Sequence, residues 1–175
     1  SGSDSLAFIQ KITINDASKL VPGKAQYSAM CYENAGIVDD LLVYMLAENE
    51  YLLVINASNI EKDVEWMSKY VFGDVVLDNR SEKMCLLAVQ GPKAPELIQR
   101  LTDLDISSIS YYSFKVGTFC GMPNVIVSAT GYTGEKGFEL YFNESDGNPL
   151  EVWNKLMESG ADLGIKPAGL GSRDT

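Results

Sequence analysis

AQYSAMCYENAGIVDDLLVYMLAENEYLLVIN, residues 25–56, is the stretch that decides the fold. It holds three mostly hydrophobic, strand-like runs, residues 25–31, 37–46 and 51–56. Between them stand Glu33-Asn34-Ala35-Gly36 and Glu48-Asn49-Glu50, which carry turn chemistry and are too short to cross over a sheet. The three runs therefore predict an antiparallel meander.

The elements on either side follow from the same periodicities. Upstream, Pro22-Gly23 is a turn, and residues 4–14 predict a short helix with Leu6, Phe8, Ile9 and Ile12 on one face. Downstream, Ser58 or Asn59 is placed to cap a helix reaching Tyr70, with Ile60, Val64, Met67 and Val71 at helical spacing. Short strands are predicted at 75–77 and 84–89, then a helix with Pro92 in its first turn that runs to Leu101. Residues 116–120 and 125–128 predict a hairpin across Gly121-Met122-Pro123-Asn124. A strand at 138–142 and a helix from Pro149 to Ser159, stopped by Gly160, complete the chain. The class is α+β: mostly antiparallel sheets with packed helices, two small α/β units sharing a core. Ser1-Gly2-Ser3 reads as an expression scar, leaving residues 4–175 as one domain.

Composition excludes several functions. The 175 residues, 46% hydrophobic and 10% aromatic, suit a globular domain, and no apolar run approaches the roughly 20 residues of a membrane span. A net charge of −10 argues against nucleic acid, and an anionic ligand needs local positive charge against the global field. With no histidine, the imidazole of a Ser or Cys triad and the commonest zinc ligand are both missing. Acid–base work would fall to carboxylates, Tyr or Lys, and no metal site is expected. Cys31, Cys85 and Cys120 are far apart and odd in number, which reads as reduced thiols in a cytosolic or matrix protein.

Three places offer chemistry, each beside a plainer reading. Asp39-Asp40 opens an apolar strand; alternation sends one carboxylate to each face, although Asp is also common at a turn end. Thr130-Gly131-Tyr132-Thr133-Gly134-Glu135-Lys136-Gly137-Phe138-Glu139 is either a ligand loop, with a flat Tyr132 and Glu139 beginning the next strand, or a plain hairpin loop. Its glycine spacing is not a dinucleotide fingerprint. Arg173 has a planar fork suited to a carboxylate or heterocycle edge, and is otherwise a surface arginine. Tyr27 and Asn56 are polar positions within strand-like runs that can also serve backbone groups.

In order along the chain stand PGKAQYS (22–28), GIVDDLLVY (36–44), LLVINASNIEKD (52–63), LAVQGPKA (87–94), TGYTGEKGFELY (130–141) and GLGSRDT (169–175). This set resembles the T proteins of the glycine cleavage system, aminomethyltransferases with a folate-binding domain, over essentially the whole chain from Leu6. The resemblance implies transfer of the methylene carbon from the aminomethyl-lipoyl arm of the H protein to tetrahydrofolate, with release of ammonia. It implies that Asp40, and not Asp39, is the catalytic acidic residue facing the folate, by proton transfer or by its charge. Tyr27, Tyr44 and Tyr132 match aromatic positions lining the folate cavity, Asn56 a polar one, Glu139 the pterin-binding glutamate and Arg173 a folate-contacting arginine. Lys24 stands where a positive charge would meet the glutamate tail. The implied partners are the H protein and folate, with no nucleic acid and no membrane; the implied compartment is bacterial cytoplasm, or mitochondrial matrix in a eukaryote.

Ala35-Gly36 replaces the family's usual Gly-Gly, Ala129 stands where an Arg often precedes TGYTGE, and Ser172 occupies an Ala position. The family's FDVSHM-like start and its C-terminal barrel domain are not in this sequence, so the expectation is a central fragment that is inactive alone and binds reduced folate weakly. Two alternatives share the domain type. Related one-carbon enzymes carry a flavin domain, and a non-enzymatic folate-binding paralogue carries a Lys-Gly-Cys motif; neither feature is found here.

Overall fold

The computed structural model describes residues 1–169 and 171–174, with backbone only for 173 and 174. The chain divides into two compact units, Ser1–Glu82 and Lys83–Thr175.

The first unit is built on the predicted meander. β1 (Lys24–Cys31), β2 (Ile37–Ala47) and β3 (Glu50–Ile55) form an antiparallel sheet in that order. Odd-numbered residues of β2 and β3 and even-numbered residues of β1 share one face, and Met30, Leu41 and Val43 there are buried. That face packs against α1 (Ser5–Ile12) through Phe8, Ile9 and Ile12, and against α2 (Ile60–Ser68) through Trp66 and Met67. Both helices present apolar residues at helical spacing, which is why each folds onto the sheet.

Three local expectations change here. Residues 75–77 form no strand; Val76 instead exchanges two backbone bonds with Ser1, at 2.8 and 2.9 Å. Gly2 bonds to the carbonyl of Asn49 and Ser3 to the Asp74 carboxylate, so the three residues read as a scar are part of the fold. Asn59 holds the N-cap position of α2 but makes no cap bond, because its Nδ2 donates to Asp39 Oδ2 at 2.8 Å.

The second unit holds β4 (Met84–Gln90), β5 (Phe114–Phe119), β6 (Met122–Ser128) and β7 (Gly137–Asn143) in the order β4-β7-β6-β5, all antiparallel. Val89, Phe138, Leu140, Phe142, Val125 and Val127 point to one face and pack against α3 (Ala94–Gln99) and α4 (Pro149–Ser159). Asn148 caps α4 by accepting the Leu150 N–H at 2.9 Å, with Pro149 in the first turn. α5 (Gly171–Asp174) follows.

Two boundaries move. The β5–β6 turn is only Cys120-Gly121, with φ of 54° and 83° respectively, the primed geometry that suits strand twist, so the strands run to Phe119 and from Met122. α3 begins at Ala94, two residues after Pro92, and it is Pro95 that occupies the first turn. Each unit has its own apolar cluster, where the sequence predicted a shared core. All three cysteines are free, and burial pushes the thiols of Cys85 and Cys120 up. Among the described residues no helix is long and apolar enough to cross a membrane.

Candidate functional site

In the first unit, four of the expected residues come to the sheet face opposite the helices. Tyr27 pairs with Leu42, Ala29 with Asp40 and Ala25 with Tyr44, so Tyr27, Asp40 and Tyr44 share that face by pleat alternation. Asn56 follows Ile55, the partner of Leu41, and falls opposite Asp40. The Tyr27 hydroxyl donates to Asp40 Oδ2 at 2.9 Å and Asn56 Nδ2 donates to Asp40 Oδ1 at 2.9 Å. Each oxygen of one carboxylate is thus held by a different neighbour. The Tyr27 ring is 51% exposed while Asp40 is half-buried, so the acid sits behind a flat aromatic surface open to solvent. Donating to Asp40 holds the Tyr27 phenol above its ordinary range, with burial and the charges of Asp40 and Asp39 adding. Tyr44 is fully buried.

Asp39 goes the other way. It is buried on the helix side and accepts from Asn56 Nδ2 at 2.9 Å, Asn59 Nδ2 at 2.8 Å and the Asp40 amide at 3.0 Å. Burial pushes its carboxyl up, but hydrogen bonds from Asp63, Asn59, Asn56 and the Asp40 amide outweigh that and leave it below the usual carboxylate range. Lys24 pairs with Met45, on the helix side of the sheet and at its exposed edge. Its register places it on the face opposite that of Tyr27, Asp40 and Tyr44.

In the second unit, Glu139 pairs with Ser128 and Ala88 on the face away from α3 and α4. Its carboxylate is buried and accepts from the hydroxyl of Thr130 and from Tyr141 at 3.0 Å. Tyr132 stands 61% exposed on the loop before β7. The side chain of Arg173 lies outside the described residues.

Two of the loop's glycines are explained by Gln90, which the sequence did not single out. A Cβ at Gly131 or Gly137 would come within 2.4 or 2.2 Å of Gln90 Oε1. Into the space they leave, Gln90 Nε2 donates to the carbonyls of Thr130 and Phe138, both at 3.2 Å, and Thr133 Oγ1 donates to Gln90 Oε1 at 3.0 Å. Gln90 ties the loop to the end of β4, and Tyr132 is carried on that tied loop. Thr130 and Tyr141 were legible in one respect: Tyr141 is two residues after Glu139 on a strand, hence on the same face.

The family described as GCVT N-terminal domain matches residues 1–175. The chain belongs to that family. As a GCVT N-terminal domain it is 54% identical to an aminomethyltransferase of Flavobacterium psychrophilum over 174 residues, 99% of this chain and 48% of the relative. Against an aminomethyltransferase of Bacillus subtilis it is 49% identical over 175 residues, 100% of this chain and 48% of the relative. The chain spans about half the length of the curated relatives it matches. Among solved structures, the crystal structure of glycine cleavage system aminomethyltransferase T from Bartonella henselae superposes with a TM-score of 0.80 at 30% identity, covering 99% of this chain and 45% of that one. The α+β class with antiparallel sheets is that of this GCVT N-terminal domain and its structural neighbour.

Proposed function

We propose that this chain is the folate-binding part of an aminomethyltransferase of glycine catabolism, working in a bacterial cytoplasm with a lipoyl-bearing H protein. The reaction moves the methylene carbon of an aminomethyl-lipoyl group to tetrahydrofolate, breaks its bonds to sulfur and nitrogen, and leaves dihydrolipoyl H protein and ammonia. The observation that carries the reading is the Asp40 carboxylate held by Tyr27 and Asn56, both at 2.9 Å, in a chain of this family.

The residues present fit a reduced folate. A pterin offers a flat ring and an edge of N–H donors; Glu139 is a buried carboxylate acceptor, and Tyr27 and Tyr132 are exposed aromatic surfaces. Glu139 would accept from the pterin edge, its own position set by Thr130 and Tyr141. Tetrahydrofolate when bound supplies the nitrogen lone pairs that take up the carbon. The Asp40 carboxyl is held at both oxygens, and its pre-set orientation would favour positive charge developing on the transferred carbon and nitrogen. Arg173 completes the proposed set, and Lys24, on the other face of β1, is the charge proposed for the glutamate tail.

A polypeptide joining this chain to the C-terminal half of its Bacillus subtilis relative tests the proposal. Given aminomethyl-loaded H protein and tetrahydrofolate it should release ammonia, and its Asp40→Ala form should not. A folded chimera that binds tetrahydrofolate without releasing ammonia would favour a binding role instead.

A further inference from the structure

The approach to α2 breaks a local rule twice. Asn56 precedes the 3-10 turn Ala57–Asn59, and Asn59 holds the N-cap position of α2, yet neither side chain makes a cap bond. Asparagine is among the residues that cap helices best. Both amides turn to one group instead: Asn56 Nδ2 and Asn59 Nδ2 donate to Asp39 at 2.9 and 2.8 Å. Asp39 breaks a rule of its own, as a carboxylate only 8% exposed on the helix side of the sheet. An apolar residue in its place would pack there and leave both asparagines to cap. A buried carboxylate and two forgone caps all cost stability, and conflicts of that kind gather where a protein does work.

The work lies on the opposite face. Asn56 follows Ile55, the last residue of β3, and from the end of the strand its amide reaches acids on both sides of the sheet. Its two hydrogens are divided between them, with Nδ2 2.9 Å from Asp39 Oδ1 and 2.9 Å from Asp40 Oδ1. An amide with one bond can turn about it; with two, its position and its plane are fixed. Asp39 is a firm anchor for this, because Oδ1 also accepts the Asp40 amide at 3.0 Å while Oδ2 accepts Asn59. It is tied to the backbone of β2 and to the start of α2. Asn56 in turn holds one oxygen of Asp40, and Tyr27 holds the other.

We propose that Asp39 is a positioning residue for Asp40: it anchors the Asn56 amide, and that amide with Tyr27 fixes the Asp40 carboxylate. The weight of this clamp in the reaction rests on the reading of Asp40 as the folate-facing acid; the clamp itself does not. Without Asp39, the Asn56 side chain is free to turn back to the backbone N–H groups of the turn it begins, the bond its place in the chain favours. Asp40 then loses its second holder.

The test follows hydrogen exchange of the Asn56 side-chain amide by NMR in wild type, Asp39→Val, Asp39→Asn and Asn59→Ala. In wild type both hydrogens should exchange slowly. Asp39→Val removes the anchor, and exchange should become about tenfold faster. Asp39→Asn keeps an oxygen for Asn56 and sets its new N–H groups toward Asn59, whose amide can turn over to meet them, so exchange should stay slow. Asn59→Ala gives up no cap bond but frees Asp39 Oδ2, and should speed exchange by a smaller factor; it carries the test should Asp39→Val not fold. Exchange that stays at the wild-type rate in Asp39→Val, or in Asn59→Ala where that variant stands alone, overturns the clamp. So does Asp39→Asn loosening Asn56 as far as Asp39→Val.

Kinetics separate the clamp from the reading it rests on. In the polypeptide joined to the Bacillus subtilis half, Asp39→Val should lower kcat about 10–100-fold with the KM for tetrahydrofolate little changed. An unchanged kcat in a variant whose Asn56 exchange has risen would sink the role of Asp40 in the reaction and leave the clamp standing.

Discussion

The two units solve one problem in two ways. Each is an antiparallel sheet with helices on one face and a carboxylate on the other, Asp40 in the first and Glu139 in the second. Glu139 is held by hydroxyls, from Thr130 and Tyr141. Asp40 is held by one hydroxyl and by an amide that also serves a second carboxylate, Asp39. Hydroxyl donors near neutral pH have no charge to lose, so the Glu139 arrangement stays fixed. The Asp40 arrangement shares its amide donor, Asn56, with the carboxylate of Asp39. A carboxylate's character is set less by its own type than by whether its supports can titrate.

The largest test of that difference is on the acids themselves. In the chimera, Asp40→Ala should lower kcat on the order of 10²–10³-fold, as for a lost preorganised charge, while shifting the denaturation midpoint little. Glu139→Gln should act mainly on the KM for tetrahydrofolate. Steady-state kinetics check both, and the division of roles fails if Glu139→Gln lowers kcat as far as Asp40→Ala with KM unchanged.

Next comes the pH dependence of stability. Asp63 has a folded value of about 6 against an ordinary 3.8, so its stabilisation is full below the ordinary value and is lost as pH rises through about 6. The shift corresponds to about 3 kcal/mol at most. Asp39, lowered in the fold, acts with the opposite sign, but its contribution is lost only as pH falls below the ordinary carboxylate value. Urea denaturation of wild type should show stability falling between about pH 4 and 7, and Asp63→Asn should flatten that fall. Unfolding of the first unit alone should carry the slope. A slope located in the second unit would reverse the comparison.

In the second unit the support most exposed to substitution is Gln90. Gln90→Ala deletes the three loop bonds, and should cost about 1–2 kcal/mol while speeding amide exchange in the loop that carries Tyr132. Exchange confined to other segments would show that the glycines, and not Gln90, shape the loop.

The smallest effect is at the first hairpin. Ala35 has φ of 65°, a left-handed conformation that costs an L-residue about 1–2 kcal/mol. Relief of that strain, less the extra freedom of glycine in the unfolded chain, gives Ala35→Gly a gain of about 0.5–1 kcal/mol. Thermal denaturation checks it, and a loss would mean the turn is held by something other than backbone preference.

Much of this molecule was legible before any coordinates. The meander, α4 with its stop at Gly160, and membership of the T-protein family all rest on periodicity, turn chemistry or ordered motifs. The misreadings have local reasons too. Residues 75–77 predict a strand because they are apolar, but among the described residues it is Val76 that exchanges backbone bonds, with Ser1. The β5–β6 turn was drawn too long because Cys120 is an unusual residue for φ of 54°.

What the sequence determined by itself is what neighbours along the chain decide: strand and helix periods, and the fact that Asp39 and Asp40 point to opposite faces. Which face the helices cover is set by packing, and only then is Asp39 the buried acid and Asp40 the one beside Tyr27. Packing also draws Asn59 away from its cap and sets Gln90 between Gly131 and Gly137. α2 places Asp63 out of water, and that burial pushes its carboxyl up to about 6. Desolvation and hydrogen-bond partnership are properties of the folded surroundings, and no pattern along one strand or helix contains them.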